Sequence, residues 1–327
     1  MRYFILLALA AAALPAQIVV DTDSGFFGDD GVALTMLLRS PRRNAVQGIT
    51  VVSGNVWAAD GAAFMSRNVR LLGLPALPVR LGSETPLVHT VAMWKREKNI
   101  AFAGAFETPR PATSKAPADG VDFLIRTIDA SPGKVTILAI GPLTNIALAL
   151  RRRPDIASKI GSLVMMGGAV AVPGNASPKA EFNFWFDPEA AQAVLRSAIP
   201  NKVLIALDVC NRFHFTRELF DQVTAHATPI TALYREDFGN RYPGFLKDPK
   251  AVGSLWDELA AASLVDASLV TRTETLYLDV DSTFGPNYGA VRPLDRNLAP
   301  HATPVTHVLD MNFDKVLALY RAALTAK

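Results

Sequence analysis

Short runs of valine, isoleucine and other apolar residues recur along this chain, and amphipathic stretches with helical spacing separate them. Each run is continuously hydrophobic and does not alternate between apolar and polar residues. This pattern is typical of strands in a parallel sheet that is covered on both faces, because neither face meets water. It predicts an α/β fold in which helices flank a mostly parallel, doubly wound sheet. The predicted strands are residues 18–20, 49–52, 135–139, 163–166 and 203–207.

The amphipathic stretches between the strands are predicted helices, and several begin at Asp, Asn or Pro, as helices commonly do. The chain has 327 residues, half of them hydrophobic, which is enough to bury a large core without disulfides. No linker divides it, so we expect one domain over residues 17–327. The predicted helices are residues 30–38, 58–72, 120–129, 143–152, 188–198, 254–265 and 313–324.

The amino terminus combines Arg2 with a short apolar run and small residues, which is typical of a secretory signal peptide. Residues 1–16 are therefore predicted to be a signal peptide, and the protein is predicted to be exported, either periplasmic or secreted. The run is too short to span a membrane, so no stable membrane anchor is expected. The lone Cys210 is predicted to be a buried core residue at a strand end.

The charged residues, 33 basic and 30 acidic, are spread along the chain and leave a formal net charge of +3. This distribution lacks the concentrated basic patch that nucleic-acid binding requires. Residues 85–118 show little periodicity and contain several prolines, so they are predicted to form a loop or lid.

Four carboxylates follow the first predicted strand within ten residues: Asp21, Asp23, Asp29 and Asp30. In a parallel sheet, polar groups at the carboxyl ends of strands meet in one crevice. Acids that converge there repel each other unless protons or a cation neutralise them. Oxygen ligands select calcium or magnesium, and calcium better tolerates the irregular geometry of a loop. The alternative is that Asp29 and Asp30 only cap a helix.

The same segment permits a second interpretation. The order Asp21-Thr22-Asp23 after a first strand resembles the opening of haloacid-dehalogenase-like phosphatases, in which the first Asp is a nucleophile and the second an acid. That family has Thr or Val two residues after its second Asp, where this chain has Gly25. The phosphatase interpretation therefore ranks lower.

Further motifs in order along the chain resemble the inosine/uridine-type nucleoside hydrolase family. Its opening signature is Asp-x-Asp-x-Gly followed closely by Asp-Asp. The resemblance extends to Thr50-Val51-Val52-Ser53-Gly54-Asn55, Ile140-Gly141-Pro142-Leu143-Thr144-Asn145, Met166-Gly167-Gly168, Pro173-Gly174-Asn175, Ala180-Glu181-Phe182-Asn183 and Trp256-Asp257.

This resemblance implies hydrolysis of a ribonucleoside by a calcium-bound water, and a homo-oligomer, either a dimer or a tetramer. It implies that Asp23 binds calcium and acts as general base on the water. Asp30, Asp257 and the carbonyl of Ile140 would complete the metal ligands, while Asp21 would support the site. The residues implied to bind the nucleoside are Asp29, Asn55, Met166, Asn175, Glu181 and Asn183.

Elementary chemistry agrees with these assignments. Cleavage of a glycosidic bond passes through an oxocarbenium-like state, which needs nearby negative charge and an activated water. Ribose offers only hydroxyls, and carboxylates and amides are suitable partners for them.

Two departures from the family pattern concern the base. The first acidic loop is longer than in the short form of the family. Its Phe26 and Phe27 either line the base pocket or pack inside, and packing is favoured because aromatic side chains are usually buried. Trp256 stands where many members have a His that protonates the leaving base. Two hypotheses follow: the base stacks on Trp256 or Trp185, or an acid from the lid, His89 or Glu97, replaces the missing His.

His89 itself is predicted to be a solvated loop residue rather than an acid. The missing His also keeps open a third function, an exported protein that binds calcium and ribose without turnover.

Overall fold

The computed structural model of the chain describes residues 17–110, 115–297 and 302–326. The predicted signal peptide, residues 1–16, lies outside the described residues. Within the described part, no helix is both long and apolar enough to cross a membrane.

A large sheet forms the centre of the molecule, and its strand order is β10-β9-β11-β6-β5-β4-β1-β2-β3. All neighbouring pairs from β11 to β3 are parallel, while β9 and β10 extend one edge in antiparallel fashion. Strands β7 and β8 form a separate small antiparallel pair. The strands are β1 (Gln17–Thr22), β2 (Val46–Val51), β3 (Val79–Leu81), β4 (Val135–Ala139), β5 (Ile160–Met166), β6 (Lys202–Ile205), β7 (His214–Thr216), β8 (Val252–Ser254), β9 (Val270–Val280), β10 (Val291–Pro293) and β11 (Pro304–Met311).

Helices cover both faces of this sheet. Apolar side chains of α1, α2, α12 and α13 bury one face, and those of α4, α5 and α7 bury the other. The predicted α/β class and the mostly parallel, helix-flanked sheet are confirmed. The helices are α1 (Asp29–Leu38), α2 (Ala58–Leu71), α3 (Val91–Trp94), α4 (Gly120–Ala130), α5 (Thr144–Arg152), α6 (Phe182–Phe186), α7 (Pro188–Arg196), α8 (Leu207–Cys210), α9 (Arg217–Thr224), α10 (Pro229–Arg241), α11 (Pro243–Lys247), α12 (Asp257–Val265) and α13 (Phe313–Thr325).

Many boundaries differ from the sequence prediction by one to three residues, and two of the differences bear on Cys210 and on the site. The strand predicted for residues 203–207 ends at Ile205, and α8 begins at Leu207. Cys210 is fully buried as predicted, but it ends this short helix and not a strand. The helix predicted for residues 254–265 begins only at Asp257, because the preceding residues pair with β7.

The order in which successive strands are added to the sheet reverses at β1. The chain continues from β1 to β2 and β3 on one side, and then crosses to place β4 on the other side of β1. A crevice opens between the carboxyl ends of strands at such a point, because the two connections leave in opposite directions. The acidic loop after β1 and Ile140 after β4 both lie at this crevice.

Candidate active site

Asp23 follows β1 at the crevice and is almost fully buried. The backbone N–H of Asn55 donates a hydrogen bond of 2.7 Å to its Oδ2. Its Oδ1 is also buried, and no hydrogen-bond partner for it exists among the described residues. A buried carboxylate oxygen without a partner is costly, which marks this atom as a place for a ligand or water.

Two glycines bring the backbone this close to Asp23. A Cβ at Gly54 would lie 2.0 Å from Asp23 Oδ2, and one at Gly141 would lie 2.9 Å from the backbone nitrogen of Asp23. No side chain fits at either place without moving the carboxylate or its strand. The glycines of both motifs are therefore needed for close packing around Asp23.

Asp29, Asp30 and Asp257 form the candidate metal cluster, since each offers a carboxylate oxygen within 4.8 Å of the others. They come together because α1 begins at Asp29, α12 begins at Asp257, and these two helices pack against each other. The positive ends of both helix dipoles favour ionised carboxylates there. The cluster includes Asp29, to which the family resemblance assigned sugar binding, and leaves out Asp23; both roles remain predictions.

Burial dominates the electrostatics of this cluster. It raises the pKa of Asp23 to about 8, opposed by the hydrogen bond from Asn55 and reinforced by the charge of Asp29. Burial, followed by the neighbouring acids, also raises the pKa values of Asp30 and Asp257 well above the usual range. Either protons or a cation must offset these charges. The exclusively oxygen donors and the unpartnered Oδ1 of Asp23 fit a hard divalent cation.

Asp21 lies behind this cluster, fully buried at the end of β1. Its Oδ1 accepts hydrogen bonds from Thr50 Oγ1 and, at 2.7 Å, from Asn145 Nδ2. It does not line the adjoining cavity. The phosphatase interpretation requires an accessible nucleophile at Asp21, whereas this carboxylate is fully buried and bonded to Thr50 and Asn145.

A cavity of about 530 Å³ opens next to the acidic cluster, which is a volume suited to a small ligand. The structure brings to its wall almost all of the residues that the resemblance assigned to substrate or metal. Asp23 and Asp30 lie just outside the wall, next to Asn55. The predicted residues that line the cavity are Asp29, Asn55, Ile140, Met166, Asn175, Glu181, Asn183, Trp256 and Asp257.

Glu181 is the most firmly held of the polar residues in this wall. Its carboxylate accepts hydrogen bonds from the backbone N–H groups of Gly168, Asn183 and Phe184, at 2.8, 2.8 and 3.1 Å. Burial raises its pKa to about 7 in spite of these bonds. Asn175 is fixed through its Oδ1, which accepts from the N–H of Phe182 at 2.9 Å. Rigid polar groups of this kind are suited to recognise hydroxyls.

Aromatic and charged residues that the sequence analysis did not assign complete the cavity. Tyr242 and Arg241 come from the end of α10 and its continuation, where no helix was predicted, and Phe102 and Glu107 come from the predicted lid. The apolar residues that α10 buries, Ile230, Leu233, Tyr234 and Phe238, recur at helical spacing, so the helix itself was indicated by the sequence but not assigned. Only the three-dimensional packing shows that the cavity-lining residues meet Phe26 and Trp256.

The structure confirms some of the predictions about Phe26, Phe27, His89 and Trp185 and contradicts others. Phe27 is fully buried, as predicted, but Phe26 lines the cavity and its packing prediction is wrong. His89 is not solvated: it is 1% exposed and its Nε2 lies 2.7 Å from Glu97 Oε1.

Trp185 is fully buried and donates its Nε1–H to Glu97 Oε2, so it is not available for stacking on a base in the cavity. Glu97 thereby links the buried side chains of His89 and Trp185, and none of these three residues lines this cavity. Of the groups considered for the base, only Trp256 lies in its wall.

Comparisons with known proteins agree with this site. The model of the inosine-uridine preferring nucleoside hydrolase family matches residues 18–318. Uridine nucleosidase 1 of Arabidopsis thaliana is 39% identical over 188 residues, which are 55% of this chain and 53% of that protein. The chain is thus matched over only about half the length of this plant relative.

Two other matches cover more. The pyrimidine-specific ribonucleoside hydrolase RihA of Salmonella enteritidis PT4 is 34% identical over 267 residues, which are 80% of this chain and 83% of that protein. The solved structure of the plant nucleoside hydrolase PpNRh1 is 25% identical, with a TM-score of 0.76, over 96% of this chain and all of that one (100%). The chain belongs to the inosine-uridine preferring nucleoside hydrolases, a family of hydrolases that act on N-glycosyl compounds.

Proposed function

We propose that this protein hydrolyses the N-glycosidic bond of ribonucleosides to free base and ribose, with a divalent cation held by the acidic cluster. The observation that carries the proposal is the unpartnered Oδ1 of Asp23, buried beside Asp29, Asp30 and Asp257 at the edge of a cavity of suitable volume. The family match supports the reaction class, while the cation and the residue roles come from the chemistry of the site.

Calcium is the proposed cation. All candidate ligands are oxygens, they come from loops and helix ends, and calcium accepts such irregular arrangements better than magnesium does. Asp30 and Asp257 would hold it together with Asp23 and the carbonyl oxygen of Ile140, and Asp29 lies close enough to contribute. When bound, such an ion lowers the pKa of a water and offsets the charge of the acids around it.

Asp23 is the proposed general base. Its Oδ2 is held by the N–H of Asn55, so the carboxylate cannot rotate freely, and its Oδ1 remains able to accept a proton from water. The surrounding carboxylates stabilise the positive charge that develops on the ribose ring. Asp29, Asn55, Asn175, Glu181 and Asn183 would bind the ribose hydroxyls, with Met166 packed against the sugar; Trp256 would lie against the base.

Export and assembly are further proposals. A signal peptide at residues 1–16 would place the enzyme in the periplasm or outside the cell, which fractionation of producing cells tests directly. A dimer or tetramer is proposed from the family resemblance, and light scattering of the purified protein would measure it.

The experiment that tests the function is an assay of free ribose from a panel of purine and pyrimidine nucleosides, with the protein before and after treatment with chelator. Release that is lost with chelator and restored by calcium is the expected result. Calcium-dependent binding without release would instead support a protein that binds ribonucleosides and does not turn them over.

A further inference from the structure

Arg241 is the only Lys or Arg among the described residues that line the cavity. Four acids, Asp29, Glu107, Glu181 and Asp257, share this wall with it. Arg241 ends α10 and is exposed, and it forms no ion pair with any carboxylate of the described residues. Its charge lowers the pKa of Asp29, against the larger effect of burial. A lone guanidinium is therefore kept at the mouth of a negatively charged cavity.

Two aromatic rings hold this guanidinium. Its central carbon lies 4.9 Å from the ring centroid of Phe26 and 5.2 Å from that of Phe102. Phe26 comes from the lengthened acidic loop and Phe102 from the lid, so two separate loops meet at one cation. Such contacts orient a guanidinium without using its N–H donors. The side chain of Arg241 also hydrogen-bonds Tyr242, and its remaining donors can bind an acceptor.

In the proposed reaction, negative charge develops on the departing base, where a cation can stabilise it. As the glycosidic bond breaks, its electron pair moves to the base nitrogen, the water oxygen bonds to the anomeric carbon, and the proton of the water passes to Asp23. The base therefore leaves with negative charge until solvent protonates it, and Asp23 later returns its proton to solvent. The acids of the wall repel that charge, and Trp256 has no proton to transfer at ordinary pH.

We propose that Arg241, held between Phe26 and Phe102, binds the departing nucleobase and stabilises the negative charge that develops on it. This proposal rests on the proposed nucleosidase function and names the residue that handles the leaving group. A guanidinium keeps its charge at every working pH, so it acts as a fixed electrostatic partner and not as a general acid. It stabilises the departing base without transferring a proton to it.

The test compares two ribosides whose leaving groups differ in how much stabilisation they need. Uridine releases a poor leaving group, while para-nitrophenyl β-ribofuranoside releases a nitrophenolate that is stable without assistance. Arg241→Gln should lower kcat/KM for uridine by about a hundredfold, the usual effect of losing one charge-stabilising donor. It should change the value for the nitrophenyl riboside by less than about threefold, which also shows that the variant is folded and binds the sugar.

Two companion variants sharpen the result. Arg241→Lys keeps the charge without the planar donor group and should recover part of the uridine activity. Arg235→Gln is the matched control, because Arg235 also lies on α10 over an aromatic ring, that of Phe220, but outside the cavity. It should leave both substrates unaffected.

Equal loss on the two substrates, or no loss on uridine, would overturn the role of Arg241 and leave the nucleosidase proposal standing. If the wild-type protein hydrolyses neither riboside in the presence of calcium, the proposed function fails and the role of Arg241 fails with it.

Discussion

The floor and the rim of the cavity are built in different ways. The floor consists of Asp257, Asn55 and Glu181 in the wall together with Asp23 and Asp30 directly behind it, and all but Asn55 are buried. Those side chains extend from strand ends and from the first turns of helices, and backbone N–H groups fix two of them, Asp23 and Glu181. The rim consists of Phe26, Phe102, Arg241, Tyr242 and Trp256, which are partly or largely exposed and come from loops and the end of a helix.

This difference suggests a division of work. A rigid, buried floor suits the part of the reaction common to all ribonucleosides, which is cleavage at the sugar. An exposed rim with few hydrogen bonds can vary without disturbing the fold, and it suits recognition of different bases. Floor variants should therefore affect all substrates alike, and rim variants should affect them unequally.

The largest expected effect is at the floor. Asp23→Asn removes the proposed base while keeping the size of the side chain, so kcat should fall by about a thousandfold for every nucleoside. Rates of ribose release across the panel would measure this, with circular dichroism to confirm the fold. Activity above a tenth of the wild-type value would show that Asp23 is not the base.

The second-largest expected effect is stabilisation of the folded protein by calcium at the floor. This stabilisation should be greater at alkaline than at acid pH. Burial raises the pKa of Asp23 and Glu258 to about 8 and that of Asp21 and Glu181 to about 7, from unfolded values near 4. Between about pH 4 and pH 8 the unfolded chain binds fewer protons than the folded one. The metal-free protein should therefore lose stability as pH rises through this window.

Thermal unfolding with chelator and with calcium, at pH 5 and pH 8, measures this effect. At a hundredfold excess over its dissociation constant, calcium should add about 3 kcal/mol to the free energy of unfolding at pH 8. A metal-free protein that is more stable at pH 8 than at pH 5 would contradict the attribution of the pH dependence to buried carboxyl groups with raised pKa values.

Gly54→Ala should have the third-largest effect. The added methyl would lie 2.0 Å from Asp23 Oδ2, so the carboxylate must shift from its hydrogen bond with Asn55. We expect kcat to fall about thirtyfold for all nucleosides, because sub-ångström to ångström displacements of catalytic groups are costly. Gly285→Ala is the control, since its added methyl would have no neighbour nearer than 3.9 Å. Similar behaviour of the two variants would show that the contact at Gly54 is unimportant.

The smallest expected effect is at the rim. Trp256→Ala removes the cavity-lining indole that is proposed to lie against the base. We expect kcat/KM to fall by about tenfold, with purines and pyrimidines affected unequally. Trp256→Phe keeps an aromatic face and should retain most of the activity. If Trp256→Ala leaves turnover of every nucleoside unchanged, the base does not stack on Trp256.

The floor could be predicted from the sequence because each of its residues is tied to a regular element. Asp23 follows a continuous apolar strand, Asp29 and Asp30 open a helix, and the parallel sheet requires these ends to meet. Strand β3 and strands β9, β10 and β11 at the other edge were not predicted. In β9, the first eight residues are exposed or half-buried and only the last three are buried, so it lacks a regular alternating pattern. Their pairing depends on partners distant in the sequence.

The rim could not be predicted for the same physical reason. Phe102 lies in the predicted lid, and Arg241 and Tyr242 lie at the end of α10 and just beyond it. Only tertiary packing decides that they meet Phe26. For His89, the error concerned burial. A histidine in a proline-rich stretch was expected to be solvated, yet ring contacts with Phe106, Trp185 and Tyr288 bury it.

The most direct test of the central claim is calorimetric titration of calcium into the chelator-treated protein and into Asp257→Asn. Asp155→Asn, a change in a surface ion pair, serves as the control. We predict that the wild-type protein and Asp155→Asn bind a calcium ion per chain and that Asp257→Asn binds it far more weakly. A wild-type protein that binds no calcium, or an Asp257→Asn variant that binds it equally well, would contradict the metal site at the floor.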